Sequence, residues 1–383
     1  MDTDPAAPPV VEFRSVTKTY SAGTKRAFTA IKDVTFRVED IPDKGEFIGI
    51  LGPSGCGKST ILRLIAGLLP QHPPTTGEVL VRGIPVTHPG ADRGMVFQDY
   101  SSFANRSVLD NIAFGLECEG VAKKERHARA TEWIAKVGLD PKKDRNKFPH
   151  ELSGGMRQRV AIARTLILHP RIILMDEPFG ALDPVTRQEM QDLLIGLWRE
   201  LEATVFFVTH DVSEAVYLGD RVFVFSNSPG TILTKEQVPH PDRPAREMRR
   251  DPDFINRVFE ISALLEDLEA ENDIVACARD VHQTLGPGRS VTSYADEFAV
   301  ALSAAGIRVA HPKPFAVRKD AADLGDWVPD LEAGEVLVDA KATGAIGDDD
   351  RRLMQTFLRL SGKRVGLLIN FQNPELEWER IIR

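Results

Sequence analysis

Phe47-Ile48-Gly49-Ile50-Leu51-Gly52-Pro53-Ser54-Gly55-Cys56-Gly57-Lys58-Ser59-Thr60 decides how the rest of the chain is read. An apolar run ends in a glycine-rich turn, and Ile61, Leu64, Ile65 and Leu68 then recur at helical spacing. That is strand, loop, helix. Gly52 to Thr60 fits G-x-x-x-x-G-K-[ST] in this context. Gly52, Ser54, Gly55 and Gly57 belong to a loop whose backbone N–H groups turn inward around phosphate oxygens. The helix N-terminus adds partial positive charge. Lys58 reaches the β- and γ-phosphates, Ser59 offers a hydroxyl to Mg²⁺, and Thr60 offers one to the α-phosphate.

Working outward, further short apolar runs end in polar residues. Met95-Val96-Phe97 ends at Gln98, Ile172 to Met175 at Asp176-Glu177, and Val205 to Val208 at Thr209-His210. Strands alternating with helices predict a mostly parallel α/β sheet. Ligands of such sheets sit beyond the carboxyl ends of the strands, where all these polar residues lie. Asp176 is placed to hold Mg²⁺ and Glu177 to polarise an attacking water. Alternation at Val11–Val16 and Val34–Val38 predicts antiparallel strands, and the charged stretch between Gln98 and Asp176 predicts an inserted helical subdomain.

Composition bounds the answer. The 383 residues suggest two or three domains at about 150 residues each. Hydrophobic residues at 42% and charged residues at 27% exclude bulk disorder. No apolar stretch approaches the roughly 20 residues that span a bilayer. The acidic, Pro-rich start lacks the features of a cleaved secretion signal. Three scattered cysteines, Cys56, Cys118 and Cys277, fit a reducing compartment. A net charge of −8 disfavours a bulk electrostatic grip on nucleic acid, and no nucleic-acid partner is expected.

Leu152 to Arg159 (LSGGMRQR), MDEP at Met175–Pro178, GALD at Gly180–Asp183 and VTHD at Val208–Asp211 complete a set. Over residues 10–260 it resembles the nucleotide-binding subunit of ABC transporters. The resemblance implies a P-loop NTPase α/β fold, with a RecA-like core, an antiparallel β subdomain and a helical subdomain at about 99–168. It implies Tyr20 stacking on adenine, Gln98 as the glutamine loop touching Mg²⁺ and water, and Asp183 in the D-loop. His210 would contact the γ-phosphate. Ser153, Gly154 and Gly155 would close on the ATP of a second subunit. Met156 departs from the family's usual Gln. The phrasing is most similar to the nitrate, sulfonate and taurine importers. ATP and Mg²⁺ are the implied cofactors. The implied partners are two transmembrane permease subunits, a second ATP-binding subunit and, through the permease, a substrate-binding protein. The implied location is the cytoplasmic face of the inner membrane, with docking near Asp99–Val108. A helix of about 14 residues after Gly155 is expected to carry Ser153 away from the strand bearing Asp176, out of reach of the chain's own phosphate loop.

Residues 1–9 are expected as a tail, 10–270 as the ATP-binding domain and 271–383 as a small α/β domain. In that last segment VHQTLGPG, VPDLEAGEVLVDAKAT and SGKRVGLLINFQNPELEWERII resemble the GxxExxY family, related to PD-(D/E)xK nucleases. Asp330, Asp339 and Lys341 match its D…(D/E)-x-K pattern, and two carboxylates with a lysine can hold Mg²⁺ beside a phosphodiester. The namesake motif is broken, with Val291 where Glu is expected. Three readings stay open: a regulatory or assembly module, a structural appendage, and an active nuclease. A soluble ABC ATPase with a nuclease-like domain acting on nucleic acid is the competing function for the whole chain.

Overall fold

The structure is a computed structural model. It describes residues 8–383 apart from 25, 42–44, 99–100, 240–241, 313–314 and 320–321, with backbone alone for 315–319 and 322–327. Most of the expected tail, residues 1–7, lies outside the described residues, as do Asp99 and Tyr100 of the expected docking segment.

The chain runs β1 (Val11–Tyr20), β2 (Phe28–Val38), β3 (Phe47–Leu51), α1 (Lys58–Ala66), β4 (Thr76–Val81), β5 (Ile84–Pro85) and β6 (Arg93–Val96). Then come α2 (Val108–Cys118), α3 (Lys123–Lys136), α4 (Gly154–Leu166), β7 (Ile172–Asp176), α5 (Pro184–Trp198), β8 (Thr204–Val208), α6 (Val212–Leu218), β9 (Arg221–Phe225), β10 (Ile232–Gln237) and α7 (Ala245–Met248). Helix α8 (Pro252–Leu285) is followed by α9 (Val291–Ala304), β11 (Val309–Ala310), β12 (Phe315–Lys319), β13 (Ala322–Trp327), β14 (Leu331–Ala333), β15 (Val336–Lys341), α10 (Asp348–Ser361), β16 (Val365–Asn370) and β17 (Glu377–Ile382). Contacts divide the chain into two units, residues 1–262 and 263–383. The division falls inside α8, which continues unbroken for 34 residues until Gly286.

In the first unit, β2-β1-β4-β5 form one antiparallel sheet and β10-β9-β3-β8-β7-β6 another, parallel except at β10. β3, β7 and β8 are buried along their whole length. Their uninterrupted apolar sequences therefore fit a sheet covered on both faces. β1 instead alternates, burying Val11, Phe13 and Val16. These pack with Val34, Phe36 and Val38 into a core shared with α1.

The order of strands places the helices. β3 connects through α1 to β6, three positions along the sheet, while β6 to β7, β7 to β8 and β8 to β9 all return the other way. Right-handed crossovers then put α1 on one face and α4, α5 and α6 on the other. Contacts agree. α1 packs against β4 of the first sheet. Across the other face, Gln191 of α5 donates to Glu214 of α6 at 3.1 Å. The reversal of direction lies between β3 and β8, so the crevice at their carboxyl ends is the switch point where such sheets take ligands.

The second unit is a five-stranded sheet, β11-β14-β15-β16-β17, with β15 and β16 parallel and linked by α10. Val336, Val338 and Ala340 face α9 and the later turns of α8. Leu337 and Leu368 face α10. Strand alternation puts Asp339 and Lys341 on the α10 face with Leu337.

Candidate functional site

The phosphate loop opens at the switch point. Gly57 ends it with φ 93°, and a Cβ there would sit 2.5 Å from Ile31 Cγ2 and 2.9 Å from the Ala30 carbonyl oxygen. Only glycine meets both demands. Lys58 is buried, and its Nζ donates to the Gly52 and Pro53 carbonyls at 2.7 and 2.9 Å. It is thus folded back over its own loop, on the wall of the cavity that the loop encloses.

Ser59 Oγ donates to Asp176 Oδ1 at 2.8 Å, joining the first turn of α1 to the end of β7. Arg63 Nη2 lies 3.8 Å from the other oxygen of Asp176. Glu177, the next residue, has φ 45° and donates its N–H to the Val208 carbonyl at 3.0 Å. That left-handed conformation is unusual for a residue other than Gly, Asn or Asp. It directs the carboxylate to Gln98, whose Nε2 donates to Glu177 Oε2 at 3.0 Å. His210 Nδ1 stands 3.7 Å from the same oxygen. Residues from the ends of three strands, β6, β7 and β8, therefore converge on one carboxylate.

A cavity of about 300 Å³ runs from the loop (Ser54, Gly55, Gly57 and Lys58 to Thr60) to Glu177 at one end and to Tyr20, Phe28 and Ala30 at the other. The Tyr20 hydroxyl is 3.0 Å from Thr60 Oγ1. Phe28 escaped the sequence reading. It is the register partner of Tyr20 in the β1–β2 hairpin and remains 49% exposed. A second aromatic eight residues after Tyr20, across a turn containing Gly23, was the available signal. Glu214 also went unnoticed. It accepts from Thr209 Oγ1 at 2.6 Å and from Gln191, anchoring the turn that presents His210. Burial, above all, pushes its carboxyl above the usual range.

Ser153, Gly154 and Gly155 do not line this cavity. Ser153 caps α4 by accepting from Met156 N at 3.3 Å, and Gly155 abuts Thr186 of α5. The expected reason for their separation needs correction. Helix length does not carry Ser153 away from β7: Gln158, near the start of α4, donates to the carbonyl of Pro178, two residues past Asp176. The segment is separated from the phosphate loop because α4 and α1 cover opposite faces of the sheet. Asp183 caps α5, accepting from Val185 N and Thr186 N at 3.2 and 3.1 Å. Its bond from the Thr186 side chain, followed by the backbone bonds, holds the carboxyl below the usual range.

Just beyond β6 lies a second cavity of about 460 Å³, with Met95, Phe97, Phe103, Phe114 and Leu168 on its walls. Arg164 crosses it, donating to the Ser101 carbonyl at 2.7 Å, with its guanidinium carbon 5.4 Å from the Phe103 ring centre.

In the second unit Asp330 and Asp339 do come together with Lys341. Lys341 Nζ is 2.7 Å from Asp339 Oδ2 and 3.1 Å from Asp350 Oδ1 of α10. Asp330 Oδ2 accepts from Ala340 N at 2.7 Å. Burial and then the charge of Asp339 push Asp330 up to about 6.

Against this geometry stand the similarities to known proteins. A family model described as ABC transporter matches residues 31–180, and one described as PD-(D/E)XK nuclease superfamily matches 268–381. Over 255 residues the chain is 45% identical to the nitrate import ATP-binding protein NrtD of Synechocystis, covering 65% of this chain and 92% of that one. It is 46% identical over 255 residues to the taurine import ATP-binding protein TauB of Rhizobium johnstonii, covering 65% and 94%. Among solved structures, the ATP-binding cassette MJ0796, a dimer in a post-hydrolysis state bound to ADP and Pi, aligns with a TM-score of 0.52 at 35% identity. That alignment covers 60% of this chain and 99% of the other.

Proposed function

The chain belongs to the ATP-binding subunits of ABC transporters and hydrolyses ATP, and from that premise we propose which residues do the work. We assign residues 10–270 to the ATPase and 271–383 to an accessory module for regulation or assembly. The convergence of Gln98 and His210 on Glu177, beside the Ser59–Asp176 pair, carries the reading.

Lys58 releases its two loop carbonyls for the β- and γ-phosphates, and the N–H groups around Ser54, Gly55 and Gly57 cradle the same oxygens. Thr60 takes the α-phosphate, which frees the Tyr20 hydroxyl and leaves its ring for adenine. Ser59, Asp176 and Gln98 offer the oxygen donors that suit Mg²⁺, and the ion, when bound, supplies charge neutralisation on the phosphates. Glu177 orients or deprotonates the attacking water, and His210 contacts the γ-phosphate. Phosphoryl transfer depends on such positioning and charge stabilisation.

The placement of Ser153-Gly154-Gly155 on the face opposite α1 supports a site finished by a second copy. Two chains arranged head to tail, with Asp183 beside the junction, would enclose two ATP molecules. A similar cassette solved as a dimer bound to ADP and Pi supports assembly of two copies. Hydrolysis removes the phosphate that bridges the halves and shifts the population toward an open pair.

Among the described residues no helix is long and apolar enough to cross a membrane. The motion passes instead to two permease subunits at the cytoplasmic face of the inner membrane, which a substrate-binding protein would supply. The apolar groove between Met95 and Phe114, which includes Phe97 immediately before Gln98, suits a short apolar segment of the permease. Likeness to nitrate and taurine import subunits supports import. The test is Glu177→Gln, assayed in purified protein for ATP binding and for steady-state phosphate release. Retained binding with lost turnover is expected, and undiminished turnover overturns the assignment.

A further inference from the structure

Residues 268–381 match a nuclease superfamily whose chemistry requires a divalent cation held by carboxylates, and the residues present here do not fit one. Such an ion needs several carboxylate oxygens free to point at a single position. Among the described residues, Asp330, Asp339 and Asp350 each have at least one oxygen already engaged. Asp339 Oδ2 is 2.7 Å from Lys341 Nζ, and Asp350 Oδ1 is 3.1 Å from the same nitrogen. Asp350 Oδ2 accepts from Gly347 N at 2.9 Å, and Asp330 Oδ2 from Ala340 N at 2.7 Å. The broken motif puts Val291 at the start of α9, packed into the core on the other face of the sheet. Glu271 of α8 is fully buried and turned to Arg380 at 2.8 Å. Among the described residues no group of three His, Cys, Asp or Glu is arranged to hold a metal ion.

We infer that the Lys341 ammonium is the resident cation of this cluster, standing where the superfamily holds a metal and closing the unit to metal-dependent strand cleavage. The geometry is that of a built ion triad. Only 17% of the Lys341 side chain and 11% of the Asp339 side chain are exposed. Burial disfavours an ammonium, but bonds to Asp339 and Asp350 outweigh it and hold Lys341 above the usual lysine range. A buried charge keeps its place when paired and hydrogen-bonded, and removing one member leaves the others uncompensated. In a metal-dependent site, by contrast, the lysine must be free to reach a phosphodiester. Here Asp350, contributed by α10, draws it away. The fold persists with its metal function replaced by an internal ion pair, which suits a unit that binds or regulates.

Two experiments on the nucleotide-free full chain test this. In the first, Mn²⁺ binding is followed by the loss of the free-ion electron paramagnetic resonance signal. The native chain should show no site that Asp339→Asn removes. Lys341→Met vacates the cation position and should gain one Mn²⁺ site that the native chain lacks, lost again when Asp339→Asn is added. No gain in a folded Lys341→Met protein overturns the inference. The second needs no variant. An amine-reactive ester followed by peptide mass spectrometry should label Lys341 far more slowly than Lys143, whose side chain is 82% exposed, and millimolar Mn²⁺ should not change that rate. Mn²⁺-accelerated labelling of Lys341, or Mn²⁺-dependent plasmid nicking abolished by Asp339→Asn, refutes it.

Discussion

Two acid pairs, one at the phosphate loop and one in the second unit, each have a lysine nearby, and they are wired in opposite ways. At the phosphate loop Lys58 binds backbone carbonyls, which it can surrender to phosphates without leaving a charge exposed. Asp176 and Glu177 take their hydrogen bonds from neutral donors, Ser59 and Gln98, with Arg63 3.8 Å from Asp176 and His210 3.7 Å from Glu177. In the second unit Lys341 binds the carboxylates themselves. The lesson is about availability. A lysine held by dipoles is ready to meet an incoming anion, whereas a lysine held by full charges in a half-buried setting is already neutralised.

Removing one acid from each pair and reading ATP turnover separates the two arrangements most strongly. Glu177→Gln should reduce phosphate release by about 10³-fold, within the range for loss of a positioned general base. Asp339→Asn should leave turnover within about twofold, because nothing in its bonding involves the ATPase residues. Equal losses in both would show that the two acid pairs are functionally joined.

A second test uses pH. Asp330 titrates at about 6 in the folded chain, above the ordinary carboxyl range. A raised folded value means the native state holds the proton more tightly than the unfolded one. The group's favourable contribution is therefore complete below about pH 4 and fades as pH rises through about 6. Thermal unfolding of the full chain between pH 4.5 and 7 should show this downward trend for the transition that Asp330→Asn shifts. The variant should flatten it, while Glu177→Gln should not. An unchanged slope in Asp330→Asn would remove Asp330 from the cluster's proton balance.

The aromatic wall belongs to the ATP site alone. Tyr20→Ala should weaken ATP binding by about tenfold, as base stacking on an aromatic ring contributes about 1–3 kcal/mol. Phe28→Ala should cost a smaller factor of about fivefold, since its ring borders the same end of the cavity but stays half exposed. Titration with a fluorescent ATP analogue measures both. A Phe28→Ala protein with unaltered affinity would make that ring a mere hairpin contact.

Much of the first site was legible because its signals are local. Gln98, Asp176, Glu177 and His210 lie within two residues of a strand end, and Lys58 and Ser59 close the loop that follows β3, so all six could be named from short phrases. What stayed hidden is set by distant packing. Phe28 joins Tyr20 only through hairpin register. The place of Ser153 follows from which face α4 covers, a property of strand order that no helix length reveals. Helix α8 runs unbroken to Leu285, because no glycine or proline interrupts it and Ile274, Val275, Ala278 and Val281 find a second core. The D…D-x-K phrase announced Asp330, Asp339 and Lys341 but could not announce Asp350, which reaches them from a separate helix.

Asp183 offers the smallest and most discriminating comparison, a third way of occupying a carboxylate. It sits in a phrase shared with nucleotide-binding subunits, yet here both of its backbone bonds are spent on capping α5. Asp183→Asn preserves a capping oxygen and Asp183→Ala does not. If capping is its whole contribution to the lone chain, Asp183→Ala should lower the unfolding midpoint by about 3 °C and Asp183→Asn by less. The carboxyl's value is depressed in the folded state, so the stabilisation should be present at neutral pH and lost as pH falls through that lowered value. ATP-driven dimerisation, followed by sedimentation in the Glu177→Gln background, separates the second role. A weaker dimer in Asp183→Asn, with its midpoint unshifted, would assign the charge to the subunit junction and the oxygen to the helix.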